Sequence, residues 1–182
     1  MKKLLLLPVL LLALANLSMA EMMVSEPDIF RRCKVGQVLD GNTIACDVGE
    51  GGVPASIYLY QIDAPELDQP FGEKAKKSLS DMIYSEEITI ENKGMDKYKR
   101  ILGIVIFSPC FSNKRIVGCG YLIPEEDYNY KMIKQGYAWF DPSYGENPVY
   151  QQAEQEARAA KRGLWADENP IPPWEWRAKK KK

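Results

Sequence analysis

Residues 33–66 read CKVGQVLDGNTIACDVGEGGVPASIYLYQIDAPE, and this stretch decides the fold. Apolar and β-branched residues run from Cys33 to Val48 and break once, at Asp40-Gly41-Asn42, a turn signal that predicts two short strands joined tightly. After the glycine-rich loop at 49–54 a third strand is predicted over about 55–62. Outward from there, Ala75, Leu79, Met82 and Ile83 make one apolar face and predict a helix over Gly72–Tyr84. Alternation around Ile88 and Ile90, and the apolar run Ile101–Phe107, predict strands four and five on either side of a polar loop at 92–100. Pro124 is expected to open a second helix, stopped at Gly136. Asn147 caps a third, with Pro148 in its first turn and Gly163 as its terminator. Five short strands, one helix after the third and helices at the end describe an α+β chain built on a small Greek-key barrel.

The whole chain has 182 residues, which suits one core, and 24 Lys plus Arg stand against 25 Asp plus Glu. A formal charge of −1 means that any grip on nucleic acid must be local. The chain has no histidine. That excludes a Ser-His-Asp triad, a Cys-His pair and an H-E-x-x-H zinc helix, and leaves acid and base work to carboxylates, Lys, Tyr, Cys or metal-bound water.

Lys2 and Lys3, the apolar run Leu4–Ala15 and small residues at Ser18 and Ala20 predict a signal peptide over 1–20. Its removal leaves 22 basic against 25 acidic residues, a net charge of −3, with no stable membrane insertion expected. Export, to the periplasm or outside, lets Cys33, Cys46, Cys110 and Cys119 pair in one of three ways. Hairpin staples Cys33–Cys46 and Cys110–Cys119 are the simplest, since each pair flanks a turn signal. A zinc site is disfavoured, because no C-x-x-C pair is present. At the other end, 168–182 carries Pro170, Pro172 and Pro173, whose density predicts no helix through 170–173, then Trp174, Trp176 and four terminal lysines, and reads either as a tail packed by its tryptophans or as a small basic patch.

Three polar clusters sit where strands end: Asp40-Gly41-Asn42-Thr43, Asp63-Ala64-Pro65-Glu66 and Asp96-Lys97-Tyr98-Lys99-Arg100. Asp63 and Glu66 straddle a proline turn that can bring two oxygen donors to one hard cation, Ca²⁺ before Mg²⁺, with Asn42 and a backbone carbonyl in the shell. Arg100 can clamp a phosphate. The same carboxylates also serve simply to cap a turn. With Gln69-Pro70-Phe71-Gly72, Gln135-Gly136-Tyr137-Ala138-Trp139 and Gly163-Leu164-Trp165, these clusters resemble the staphylococcal-nuclease-like (thermonuclease) domain of secreted calcium-dependent nucleases, placed here over 33–167.

The resemblance implies a five-stranded OB-type barrel with three α-helices. It implies Glu66 as the carboxylate that activates water, Arg100 as the stabiliser of phosphoryl charge, Asp63 and the Ala64 carbonyl as calcium ligands, Lys97 near a phosphate and Tyr144 as a base-stacking ring. Two departures bear on rate. Asn42 replaces a charged calcium ligand, and Tyr58 stands where the family has a second arginine, a loss worth on the order of 10² to 10³ in rate. Lys99 stands where the motif commonly has glycine. The expectation is therefore an exported, monomeric, Ca²⁺-dependent nuclease of reduced efficiency, acting on single-stranded or frayed DNA or RNA. The alternative is an inactive module of the same fold that binds single strands or a protein.

Overall fold

A computed structural model describes residues 30–47, 54–107 and 126–181. The predicted signal peptide and the Cys110–Cys119 staple lie outside the described residues. In chain order the elements are β1 (Phe30–Val38), β2 (Thr43–Asp47), β3 (Ala55–Leu59), β4 (Ile62–Asp63), α1 (Gly72–Ile83), β5 (Glu87–Met95), β6 (Ile101–Phe107), β7 (Glu126–Asp127), α2 (Tyr128–Lys134), β8 (Trp139–Phe140), α3 (Pro148–Ala159) and α4 (Pro173–Lys180). Short 3₁₀ turns occupy Pro142–Tyr144 and Gly163–Ala166.

The strands run antiparallel in the order β3-β2-β1-β5-β6, and a parallel pairing of β3 with β6, Ile57 opposite Ile101 and Leu59 opposite Gly103, closes the five into a barrel. Closure leaves these strands no free edge. Bulges at Val35/Gln37 in β1 and at Asn92/Gly94 in β5 bend the two longest strands enough to wrap. The interior is filled by fully buried Ile44, Ile57, Leu59, Ile88 and Ile90, onto which α1 lays Ala75, Leu79 and Ile83. Cys33 and Cys46 are joined across β1 and β2 with Cα atoms 5.5 Å apart, as the turn signals predict.

The parallel seam has a lock of its own. Asn129 of α2 is fully buried, accepts from the Val105 amide at 3.0 Å and donates to the Tyr60 and Gly103 carbonyls at 2.9 and 3.0 Å. Its side-chain amide, one acceptor and two donors, satisfies backbone groups that a curved sheet leaves unpaired.

Three helix readings change. The second helix begins at Tyr128, capped by the Asp127 side chain on the Tyr130 amide, because Glu126–Asp127 pair with β6 as a strand. The third is capped by Asn147 as predicted but ends at Ala159. Gly163 then holds φ +52° and its carbonyl-packed Cα faces Gly136 (φ +76°), where any Cβ would lie 2.2 Å from a backbone oxygen. The count of three helices is one short. The prolines keep 170–172 out of a helix, but the reading fails at Pro173, which occupies a first helical position, where a missing N–H costs nothing, and opens α4.

Candidate active site

One cavity of about 780 Å³ opens at the end of the barrel where β2, β3 and β4 turn. Asp40, Asn42, Asp63, Ala64, Glu66, Lys97 and Arg100 line it together with Tyr144, so residues from all three polar clusters meet in one place.

The acidic wall is built by the fold itself. Asp63 pairs with Trp139 across β4 and β8 and is 2% exposed. In the preceding turn, Asp40 accepts from the Asn42 amide at 2.9 Å, and the Asn42 side chain donates to the Ile62 carbonyl at 3.3 Å, tying that turn to β4. A carboxylate at position 42 has no hydrogen to give there. Gly41 makes the approach possible, since a Cβ would stand 2.6 Å from the Ala64 Cβ and 2.8 Å from that of Ala75. Glu66 follows Pro65 in a turn closed by Gln69, whose side chain accepts from the Glu66 amide at 3.2 Å.

The opposite wall comes from the loop between β5 and β6. Asp96 accepts from the backbone amides of Tyr98 and Arg100 at 2.8 and 2.9 Å and from the Arg100 Nε at 2.6 Å. That fixes the Arg100 guanidinium over the Tyr58 ring, 4.1 Å from its centroid. Lys99 sits in this turn at φ +63°, the left-handed region that favours glycine. Tyr144 stands on the third side with its ring 5.0 Å from Tyr60, whose hydroxyl donates to the Tyr144 carbonyl.

A residue with no role in the sequence reading completes the site. Arg177, on α4, grips Asp63 with both arms, Nη2 to Oδ2 at 2.6 Å and Nη1 to Oδ1 at 3.1 Å, and Nη1 also donates to Glu66 Oε1 at 2.8 Å. Pro173, Trp176, Arg177 and Lys180 share one helical face. Along it the Trp176 indole donates to Asp68 at 3.3 Å and Lys180 pairs with the same Asp68. The available signal was the match of that cationic face to the acidic run Asp63–Asp68, more than 100 residues away in the chain.

The chain is similar to known proteins. The family model described as Staphylococcal nuclease homologue matches residues 56–167. A protein of Haemophilus influenzae named "Uncharacterized endonuclease" is 38% identical over 149 residues, covering 82% of this chain and 74% of that one. A "Micrococcal nuclease" of Shigella flexneri is 35% identical over 148 residues, covering 80% of each. The chain belongs to the staphylococcal nuclease homologue family.

Within that family frame, the electrostatics of the site divide by wall. Burial pushes the Asp63 carboxyl above the usual carboxylate range, against the pull of Arg177. Burial likewise raises Asp40. Hydrogen bonding to Asp63 holds Arg177 firmly protonated. Tyr58 is 9% exposed, and burial and the neighbouring Asp63 raise its hydroxyl so far that it stays neutral, donating to Asp63 Oδ1 at 3.3 Å. It cannot supply the charge of an arginine.

The donors that would hold a cation, Asp63, Asn42 and the Ala64 carbonyl, are all oxygen and match a hard ion in kind. Among the described residues no group of three or more His, Cys, Asp or Glu is spaced to hold a metal, and both oxygens of Asp63 are engaged by Arg177. The donors match such an ion in kind, and in this structure Arg177 holds the Asp63 carboxylate that would ligate it.

Proposed function

We propose that the chain hydrolyses phosphodiester bonds of DNA or RNA in the 780 Å³ cavity, with Glu66 as general base, Arg100 on the phosphoryl oxygens, and a divalent cation, Ca²⁺ by preference, held by Asp63, Asn42 and the Ala64 carbonyl. The observation that carries this reading is the convergence of Glu66, Asp63 and Arg100, from separate stretches of chain, on one cavity of a family whose relatives bear nuclease names.

Glu66 is about one-third exposed at the side chain, so its carboxylate has access to a water to activate. Arg100 is already oriented by Asp96 and Tyr58, so no side-chain freedom is lost when it meets a phosphate. The cation, when bound, supplies neutralisation of charge on the phosphoryl group. Lys97 at the rim draws in the backbone, and Tyr144 offers a ring for an unstacked base, which favours single-stranded or frayed substrate. Asn42 and Tyr58 lower the rate relative to a site with Asp and Arg at those positions. Export fits the Cys33–Cys46 bond, which persists in an oxidising compartment. The chain works as a monomer in this reading.

The test is cleavage of single- and double-stranded DNA and of RNA with Ca²⁺, with Mg²⁺ and with chelator. Cleavage with Ca²⁺ that the chelator abolishes is expected, and no activity above the chelator control with either metal would overturn the reading. Asn42→Asp combined with Tyr58→Arg should then raise the rate by on the order of 10². The second reading, a module that binds without turnover, is favoured by the hold of Arg177 on both Asp63 and Glu66. It predicts binding without cleavage in the same assay.

A further inference from the structure

We propose that Arg177 is a substrate-phosphate ligand, a second guanidinium that α4 delivers to the site where Tyr58 leaves none. The inference rests on the phosphodiesterase reading above and adds a residue that lies outside the matched span 56–167.

The placement of charge argues for it. Arg100 lies on one face of the Tyr58 ring, and the Tyr58 hydroxyl reaches Asp63, which Arg177 grips from beyond. The two guanidiniums thus flank a neutral phenol and line the same cavity. A phosphodiester entering between them meets a cation on each side, the arrangement that a single arginine on the barrel does not provide. Chemically the exchange is direct, because a phosphate offers a fork of two oxygens as a carboxylate does, and a guanidinium grips either in the same bidentate way. Arg177 is also free to make it: its side chain is 43% exposed, whereas that of Asp63 is 3% exposed.

Position does not depend on the carboxylates alone. Trp176 and Lys180 hold α4 to Asp68, the edge of Trp174 packs 5.8 Å from Trp139, and Gln69 donates to the Ile171 carbonyl at 2.5 Å. Four contacts therefore keep Arg177 at the cavity while its guanidinium turns from carboxylate to phosphate. Because Asp63 is also a proposed cation ligand, a cation on Asp63 and a phosphate on Arg177 each favour the other.

The experiment is equilibrium binding of a short single-stranded oligothymidylate in chelator, so that nothing is cleaved, over a range of salt. Arg177→Gln should weaken binding about tenfold, the size of one lost charge-assisted contact, and reduce the slope of log affinity against log salt by about 0.7. Arg177→Lys, which keeps the charge and loses the fork, should fall between, and it replaces the Gln variant if a thermal melt shows that variant unfolded. In an Asp63→Asn, Glu66→Gln background the loss from Arg177→Gln should persist. Disappearance of the loss in that background would mean that Arg177 only neutralises the carboxylates, and tighter binding by Arg177→Gln would make it a plug; either result overturns the proposal. If the unaltered protein cleaves with Ca²⁺ yet Arg177→Gln binds as well as it does, this inference alone fails. If it neither binds nor cleaves, the phosphodiesterase reading fails with it.

Discussion

The acidic and basic walls of the cavity are made in different ways. Asp63 lies in a strand, paired to β8, buried among core residues and tied through Ile62 to the Asn42 turn. Arg177 lies on a helix of eight residues that buries only Pro173 and is held by half-exposed side chains. Exposed ion pairs of this kind contribute about 0 to 1 kcal/mol each, and burial of apolar surface at about 25 cal/mol per Å² outweighs them. The carboxylates are therefore held by the barrel itself, and the arginine by contacts made on its surface. One wall should be separable from the other.

The largest effect is expected in the acidic wall. Glu66→Gln removes the proposed base and should lower cleavage by about 10³, within the 10² to 10⁴ range of general base catalysis. Its thermal melt should stay unchanged, because the Glu66 side chain is 38% exposed and its turn is closed through backbone atoms and Gln69. Cleavage that survives in Glu66→Gln places the base elsewhere. Next in size is the barrel beneath. Cys33→Ala with Cys46→Ala opens a loop closed at a sequence separation of 13, and loops near that length give about 3 kcal/mol in the chain-entropy model, read as a shift in the urea midpoint. A shift below about 1 kcal/mol would mean that the closed barrel alone supplies the order.

The contrast between walls also accounts for what was legible in the sequence. Barrel strands announce themselves locally: Ile88 and Ile90 alternate with polar neighbours, Ile44 stands in an apolar and β-branched stretch, and Asp40-Gly41-Asn42 marks its own turn. Asp63, Glu66 and Arg100 were legible because each stands in a compact motif at a strand end. Asn129 was not, since its three backbone partners belong to β6 and to the end of β3 and nothing near it in the chain signals them. Arg177 was hidden twice over. Its prolines discouraged a helix reading, and its partners Asp63 and Glu66 lie 114 and 111 residues away.

If α4 is held by contacts on the barrel surface, it can be loosened alone. Trp176→Ala removes the indole that donates to Asp68 and should leave the barrel's urea midpoint within the 0.5 kcal/mol or so typical of surface changes. Trypsin should then cut after Arg177 and Lys179 faster than in the unaltered protein, while 54–107 stay protected. An unchanged rate of cutting would show that Arg177 and Lys180 hold the helix without the tryptophan.

The smallest effect tests the wall that holds Arg100, and it depends on pH. Burial pushes the Asp96 carboxyl up, but hydrogen bonds from the Arg100 and Tyr98 amides and from the Arg100 side chain outweigh it and hold the group below 3.8. A carboxyl that binds its proton less tightly in the folded protein than in the unfolded chain contributes stability above the unfolded value. That contribution is lost as pH falls through the lowered folded value. Asp96→Asn should therefore be less stable than the unaltered protein near neutral pH, and the gap in urea midpoint should close as the pH is taken well below 3.8. Because Asp96 also orients Arg100, the variant's cleavage rate at neutral pH should fall with its KM rising, as expected when a phosphate ligand swings loose. A gap that widened in acid would mean that Asp96 is held protonated in the fold, and Arg100 would then owe its position to the Tyr58 ring instead.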